Sequence, residues 1–341
     1  MGQHAGARAG LAPLRWAAGL LLALLVGGLL VHDALAPDPA GRDATAPGGP
    51  TASAAPAPLE PLEPQRVVPG TLILRAPRPT KTPDPEPVVE PPRLGTVTTA
   101  VANLPNRTAD GPFAGSMRTL LSSAPDFVML NEVSRHGTAE LRALAPGYDA
   151  YREEQRDDEL GGGSQSMNNV VLWRAGDWTL VDGGRVKLVD DDRGFRLGQP
   201  FTWDRYATWV TLSQADGAVV SVVSTHLMTN PARYPRQHGN PRMTRAQQYG
   251  AGMDVLVGTV RDLAALGPVL VGGDMNTHGR EGPWTAEARM SAAGYGHAKD
   301  SAVMYVFYPP GVGLVTNRQV RVASDHPAIV TTLDLSGAGD T

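Results

Sequence analysis

Residues Val269 to Gly279 read VLVGGDMNTHG, an apolar run that stops abruptly on two glycines, an aspartate and an asparagine. Such a run is a strand bound for a core, and a core strand has no local reason to finish on polar groups. Glycine lets the backbone turn sharply and approach a ligand closely. Asp274 and Asn276, two apart on an extended segment, point to one side. A turn alone would account for them, since Asp and Asn are good turn formers, but the pattern recurs. APDFVMLNEV ends a strand on Asn131 and Glu132, SVVSTHLMTN on His226 and TVTTAVANLPN on Asn103, while RVASDHPAIV places Asp325 and His326 just before a final strand. A fold that gathers these ends makes a site with carboxylates for a hard cation and imidazoles for proton transfer.

From Leu94 onward β-branched runs alternate with turn signals. Strands are predicted near Gly95–Asn103, Phe127–Glu132, Asn169–Trp173, Tyr206–Leu212, Ala218–His226, Val269–Asp274, Val303–Phe307 and Ala328–Leu335. Helical patterns fall near Phe113–Ser123, Thr138–Leu144 and Thr244–Leu266, the last with Met253, Leu256, Val257, Val260 and Leu263 as a core-facing stripe. Many strands, few helices and no internal repeat indicate two packed sheets flanked by helices in one α+β domain over 94–341.

The first 93 residues are of another kind. Arg8 and Arg15 precede WAAGLLLALLVGGLLV, Trp16 to Val31, which is close to the roughly 20 residues a bilayer crossing needs. Residues 1–36 are a signal anchor or a signal peptide. Ala34–Ala36 has the small-x-small form of a cleavage site, but Pro37 directly after it hinders cleavage and favours the anchor. The arginines put the N-terminus in the cytoplasm, so the rest of the chain is expected outside it, held by a single-pass anchor or secreted if cut after Ala36. Residues 37–93 hold more than half of the chain's 30 prolines. Proline fixes φ and has no amide donor, so this is an extended spacer at about 3.1 Å per residue where polyproline II persists. Its one apolar island, Val67 to Arg75, is expected to dock weakly on the domain.

The absence of cysteine excludes disulfides, thiolate zinc sites and a cysteine nucleophile. A net charge of −4 gives no global electrostatic case for nucleic-acid binding, although a local basic groove is enough for it.

The motifs PDFVMLNEV, STHL, GGDMN and SDHPAI, in this order and rough spacing, resemble the endonuclease/exonuclease/phosphatase superfamily, the fold of DNase I-like nucleases, neutral sphingomyelinases and inositol polyphosphate phosphatases. The resemblance covers about Leu94 to Leu335. It implies a four-layer α/β/β/α sandwich and Mg²⁺-dependent hydrolysis of phosphate esters, with Mn²⁺ or Ca²⁺ as alternative cations. By position it implies Glu132 as principal metal carboxylate, with Asn103 and Asp325 close to the metal. Asp274 would orient or deprotonate the attacking water. His326 would transfer a proton or bind phosphate, and His226 is the second family histidine. Asn276, Arg205 (in RYATWV) and Asn169 would contact phosphate, with Asn168 competing for the last role. No protein partner is implied.

One departure bears on activity. The family usually carries an aspartate that orients the last histidine, and AVMYVFYPPG has Met304 there. Methionine cannot accept an imidazole N–H, and losing such a carboxylate can cost several powers of ten in rate. Asp300 could substitute, the proton-transfer arrangement could differ, or the chain could be a catalytically inactive binding module. The presence of every other signature residue favours an active enzyme.

Arg233, Arg236, Arg242 and Arg245, with His238, lie in the stretch after STHL. They read as a phosphate-gripping loop or, more plainly, a solvated loop leading into a helix; the position beside His226 favours the first. RDDELGGGSQS, Arg156 to Ser166, reads as a loop at the site rim. LVDDDRG, Leu188 to Gly194, lacks EF-hand spacing and reads as a solvated turn. Lack of cysteine lowers the inositol phosphatase branch. A nuclease or general phosphodiesterase is the favoured reading, with nucleic acid as substrate. A phospholipase C or sphingomyelinase-type enzyme comes second; it would gain from an exposed aromatic hairpin, for which Tyr305, Phe307 and Tyr308 with Pro309 and Pro310 are the only candidates, and these read mostly as strand.

Overall fold

A computed structural model of the protein describes residues 94–152, 168–196, 199–234, 242–300 and 302–338. The N-terminal apolar segment, the proline-rich spacer with its Val67–Arg75 island, the Arg156–Ser166 stretch, Arg236 and His238 lie outside the described residues. Among the described residues no helix is long and apolar enough to cross a membrane.

The chain runs β1 (Thr96–Asn103), α1 (Asp110–Leu121), β2 (Phe127–Asn131), α2 (Thr138–Leu144), β3 (Tyr148–Tyr151), β4 (Val170–Arg174), β5 (Thr179–Arg196), β6 (Gln199–Ser213) and β7 (Val219–His226). It continues through α3 (Arg245–Ala264), β8 (Val269–Asp274), α4 (Ala286–Ala292), β9 (Gly296–Lys299), β10 (Met304–Tyr308), β11 (Gly313–Val320) and β12 (Ala328–Asp334). One six-stranded sheet has the order β11-β12-β1-β2-β4-β3, the other β5-β6-β7-β8-β10-β9.

The layers follow from which face each apolar residue takes. Val101, Phe127, Met129, Val171, Val222, Leu270, Val306 and Ile329 fill the space between the sheets. Ala100, Val128, Leu130 and Leu172, at the alternate positions, pack under Phe113, Met117 and Leu120 of α1 and Leu141 of α2. Val223, Val269, Val271, Tyr305 and Phe307 pack under Tyr249, Met253, Leu256 and Val260 of α3 and Met290 of α4. Strands buried on both faces read as unbroken apolar runs, which is why they stand out in the sequence. The result is the four-layer α/β/β/α sandwich that the sequence predicts.

Helix α3 begins where its capping chemistry dictates. Thr244 Oγ1 accepts from Gln247 N at 3.2 Å, and Gln247 Oε1 accepts from Thr244 N at 2.8 Å. Such a cap contributes about 1 kcal/mol.

Two sequence expectations are corrected. Leu188 to Gly194 is no solvated turn: it is part of β5, whose pairing with β6 shifts register between Val189 and Asp192, and Asp192 is buried. Arg245 is not a free phosphate grip, being only 1% exposed. Tyr305 and Phe307 are fully buried in β10, as the strand reading expects, so they offer no exposed aromatic hairpin.

Candidate active site

Strand direction brings the polar ends together. β1 and β2 run parallel with Asn103 opposite Asn131. β7 and β8 run parallel with His226 opposite Asp274. Both pairs therefore finish at one edge of the facing sheets. β12 is antiparallel to β1, so its start lies beside the end of β1. The loop just before β12 accordingly delivers Asp325 and His326 to the same edge. Asn103, Glu132, Arg205, His226, Asp274, Asn276, Asp325 and His326 all line one cleft of about 320 Å³.

The glycines that precede Asp274 have separate tasks. A Cβ on Gly272 would stand 2.7 Å from Met129 Sδ and 2.8 Å from Val101 Cγ2, so glycine lets the two sheets close. Gly273 has φ +153°, and a Cβ there would collide with the Thr225 carbonyl. Just beyond, Glu132 and Asn276 take left-handed conformations at φ 60° and 53°. Such strain persists only where its surroundings enforce it. For Asn276 the enforcement is visible: its N–H donates to Asp274 Oδ1 at 2.9 Å, and Tyr249 Oη donates to the Met275 carbonyl at 2.5 Å.

Asn131 pins the arrangement, a role the sequence does not announce. Its Oδ1 accepts from Asp274 N at 2.9 Å, across the two sheets. Its Nδ2 donates to Asn169 Oδ1 at 3.0 Å and Ser224 Oγ at 3.3 Å. Asn169 also donates to the Tyr206 carbonyl at 2.6 Å and is 2% exposed. It is thus spent on this network and does not line the cleft. Asn168 lines it instead, with Oδ1 accepting from Asn106 Nδ2 at 3.1 Å.

Asp274 is held by Asn103 Nδ2 at 2.9 Å, and the same Nδ2 donates to Glu132 Oε1 at 3.0 Å. The His226 and His326 Nε2 atoms each lie 3.8 Å from Asp274 Oδ2. Burial pushes the Asp274 carboxyl up to about 6, against the opposing pull of His326, Asn103 and the Asn276 N–H; Glu132 adds to the rise. Burial, with Arg205 and His326 nearby, drives His226 well below the usual imidazole range, so it is neutral.

The hydrogen bonds assign its tautomer. Asn276 Nδ2 donates to the Leu227 carbonyl at 2.9 Å and lies 3.0 Å from His226 Nε2. An amide nitrogen can only donate, so Nε2 accepts and Nδ1 carries the proton. That N–H is on the Glu132 side, with Oε1 at 4.0 Å. Asn276 has then used both amide hydrogens and can offer a ligand only its Oδ1 acceptor. This conflicts with the expectation that Asn276 holds a phosphate oxygen, which needs a donor.

Arg205 is anchored through Nε to Asp192 Oδ2 at 2.7 Å. Its terminal nitrogens make no hydrogen bond among the described residues, and it borders the cleft. Met304 is fully buried in the inter-sheet core, opposite Asp274 on the neighbouring strand. Asp300 does not replace the missing aspartate: its Oδ1 accepts from Ala302 N at 2.8 Å and Met304 N at 3.0 Å, closing the local turn. The carboxylates nearest the His326 ring are Asp274 and, at 3.9 Å, Asp325.

No cluster of three or more His, Cys, Asp or Glu side chains suited to a metal occurs among the described residues. A hard cation such as Mg²⁺ requires less, since it keeps several waters and takes one or two carboxylates. The donor set fits it: Asn103 Oδ1 is buried with no hydrogen-bond partner, beside the Glu132 carboxylate.

The raised Asp274 carboxyl makes stability pH-dependent. The unfolded carboxyl titrates near 3.8 and the folded one near 6. Its neutral form favours folding, so this contribution is fully present below about pH 4 and is lost as pH rises to about 6. In EDTA, the stability of the wild type relative to an Asp274→Asn variant is expected to fall across that window by about 3 kcal/mol. Urea melts at pH 4 and pH 7 measure it, and a constant difference contradicts the reading.

No family model and no curated protein matches the sequence. Solved structures do match. An endonuclease/exonuclease/phosphatase from Bacteroides vulgatus aligns with a TM-score of 0.53 at 15% identity, over 70% of this chain and 99% of that one. The mannosyl-6-phosphatase of Bacteroides thetaiotaomicron gives 0.52 at 15% identity, over 70% and 99%. The human Nocturnin catalytic domain, with a bound sulfate anion, gives 0.51 at 14% identity, over 71% and 94%. The described domain therefore has the endonuclease/exonuclease/phosphatase, or DNase I-like, fold. At these identities the likeness is one of fold.

Proposed function

We propose that the chain is a Mg²⁺-dependent phosphoesterase acting outside the cytoplasm on phosphodiesters, with nucleic acid as the favoured substrate. The observation that carries this is the meeting of Asp274, two imidazoles and the open end of Arg205 in one cleft. The similar structures named above include a phosphatase, which supports phosphate-ester chemistry on this fold.

Asn103 Oδ1 and Glu132 would hold the cation, with Asp325 lining the same cleft. When bound, the cation supplies charge neutralisation at the phosphate and stabilises negative charge developing on oxygen. The chain's own residues do the rest. Arg205 presents paired N–H donors to phosphate oxygens, held in direction by Asp192. Ionised Asp274 accepts a proton from the attacking water. Asn276 Oδ1, an acceptor, suits the water's second hydrogen. His226 Nδ1–H is a neutral donor beside Glu132. His326 would give a proton to the leaving oxygen. Met304 removes one orienting acceptor, and Asp274 and Asp325 are the carboxylates left to serve the imidazole.

Plasmid nicking by the full chain, with Mg²⁺, with EDTA and with Asp274→Ala, tests the reading. Nicking that needs the metal and Asp274 is expected. A folded protein that binds Mg²⁺ without nicking would point to lipid or small phosphoesters. Absence of Mg²⁺ binding would favour the inactive binding module, which Met304 keeps open.

A further inference from the structure

The asparagines around the cleft are not equally free to donate. Asn276 has used both amide hydrogens, on the Leu227 carbonyl and His226 Nε2. Asn103 Nδ2 serves Asp274 and Glu132, and Asn169 is buried between the sheets. Asn168 differs. It lines the cleft, and its Nδ2 makes no hydrogen bond among the described residues without being one of the buried unpartnered atoms. It sits two residues before β4, in the sheet opposite the one that carries Arg205 on β6.

A side-chain amide can face either way unless its neighbours distinguish oxygen from nitrogen. Here they do. Asn106, which also lines the cleft, accepts at Oδ1 from the Arg135 backbone N–H at 3.2 Å and from Ser134 Oγ at 3.2 Å. A backbone N–H can only donate, so that end of Asn106 is its oxygen. The other end, Nδ2, donates to Asn168 Oδ1 at 3.1 Å. Asn168 is therefore an acceptor on the Asn106 side, and its NH₂ is the end left over. Its carbonyl is held as well, accepting from Val133 N at 3.2 Å, one residue past Glu132. The direction of the relay is set at the Arg135 N–H and passes through Asn106 to Asn168.

We infer that Asn106 is a positioning residue: by occupying Asn168 Oδ1 it turns the Asn168 NH₂ toward the cleft, where that group donates to a phosphate oxygen in the place of the spent Asn276 amide. The inference deepens the phosphoesterase reading and rests on it for phosphate as the ligand. A hydrogen bond to a charged group is worth about tenfold in affinity or more.

The test is equilibrium binding of inorganic phosphate to the full chain in Mg²⁺, by calorimetry, which needs no turnover. Both side chains are only half-buried, and thermal melts check that each variant folds. Asn168→Ala is expected to weaken phosphate about tenfold. Asn106→Ala should cost only about twofold, because an unguided Asn168 amide still faces the right way about half the time. Asn106→Asp should cost more than tenfold. Its carboxylate keeps the bonds from Arg135 and Ser134 but offers Asn168 an acceptor, which draws the NH₂ away from the cleft. In an Asn168→Ala background the same change should cost about tenfold less, since only its charge then acts. An unchanged affinity in Asn168→Ala overturns the inference, as does an equal penalty for Asn106→Asp in both backgrounds. Asn106→Ala as damaging as Asn106→Asp overturns it too, since Asn106 would then meet phosphate itself. So does a wild type that binds no phosphate at millimolar concentration. Nicking with independent effects at the two positions leaves the phosphoesterase standing and removes the relay. Coupled effects on phosphate binding without nicking do the reverse.

Discussion

Replacing Asp274 by asparagine is expected to lower phosphodiester turnover by about 10²–10⁴-fold, the range a positioned general base contributes, without loss of stability at neutral pH. The two effects have one cause. Asp274 is 1% exposed, and burial holds its carboxyl at about 6. At pH 7 it is therefore ionised at a cost that the unfolded chain, with its carboxyl near 3.8, does not bear. Asparagine removes that cost. It can keep the acceptor that receives Asn276 N–H, and its backbone N–H still donates to Asn131 Oδ1. What it cannot do is take a proton from water. It also sets an amide NH₂ against Asn103 Nδ2, which now donates to Asp274 Oδ2. That clash of two donors can be relieved because Asn103 Nδ2 already has Glu132 Oε1 as its other acceptor. The combination expected is lost chemistry with an equal or higher melting temperature, an exchange of stability for activity known at strained sites. Turnover at saturating substrate, measured alongside thermal melts at pH 7, decides it. Normal turnover would remove Asp274 from the mechanism. A large fall in melting temperature would show that its charge is better compensated than burial implies.

What the sequence made legible follows from how each element is buried. β8 and α2 coincide with their predicted spans, and β1, β2, β7 and β12 begin or end within a residue or so of them. Those strands are covered on both faces, so their apolar runs are continuous and stop where the core stops. β3, β9 and β11 are edge strands; β11 is exposed along nearly its whole length and carries no such signal. β5 crosses Asp190, Asp191 and Asp192, which look like a solvated turn until Arg205 and Arg245 are placed on Asp192 from elsewhere in the chain. No local pattern could show that pairing, because Arg245 lies beyond two whole strands and a loop. The same limit applies to Asn168 and Asn169. Adjacent asparagines have equal chemistry, and only the register of β4 against β2, Val170 opposite Leu130, determines which one meets the cleft. Asn131 was visible as a strand end, but its bond to Asp274 belongs to the packing of one sheet on the other.

The two glycines ahead of Asp274 lead to the other large effect. Gly273→Ala is expected to destabilise the domain by about 3 kcal/mol or more and to abolish activity along with it. Two costs coincide at this position. Its φ of +153° is one that L side chains rarely adopt. The added methyl would also meet the Thr225 carbonyl on the neighbouring parallel strand, with the Thr225 carbonyl carbon 2.8 Å away and Asn131 Oδ1 3.1 Å away. The Thr225 atoms are backbone, and Asn131 Oδ1, although the end of a side chain, is held by the Asp274 N–H. Thr225 lies in β7 beside His226, and Asn131 is the residue that pins Asp274. Relief must therefore part β7 from β8 or shift Asn131, and either motion displaces the His226–Asp274 pair. Gly272→Ala meets instead the Met129 side chain and the tip of Val101. Methionine can repack, so the cost at that position should be the smaller of the two. Thermal melts of both variants beside the wild type test the ranking. If Gly273→Ala melts within about 2 °C of the wild type, a loss under roughly 1 kcal/mol for a domain of this size, then the tight β7–β8 contact is not what fixes Asp274 at the sheet edge.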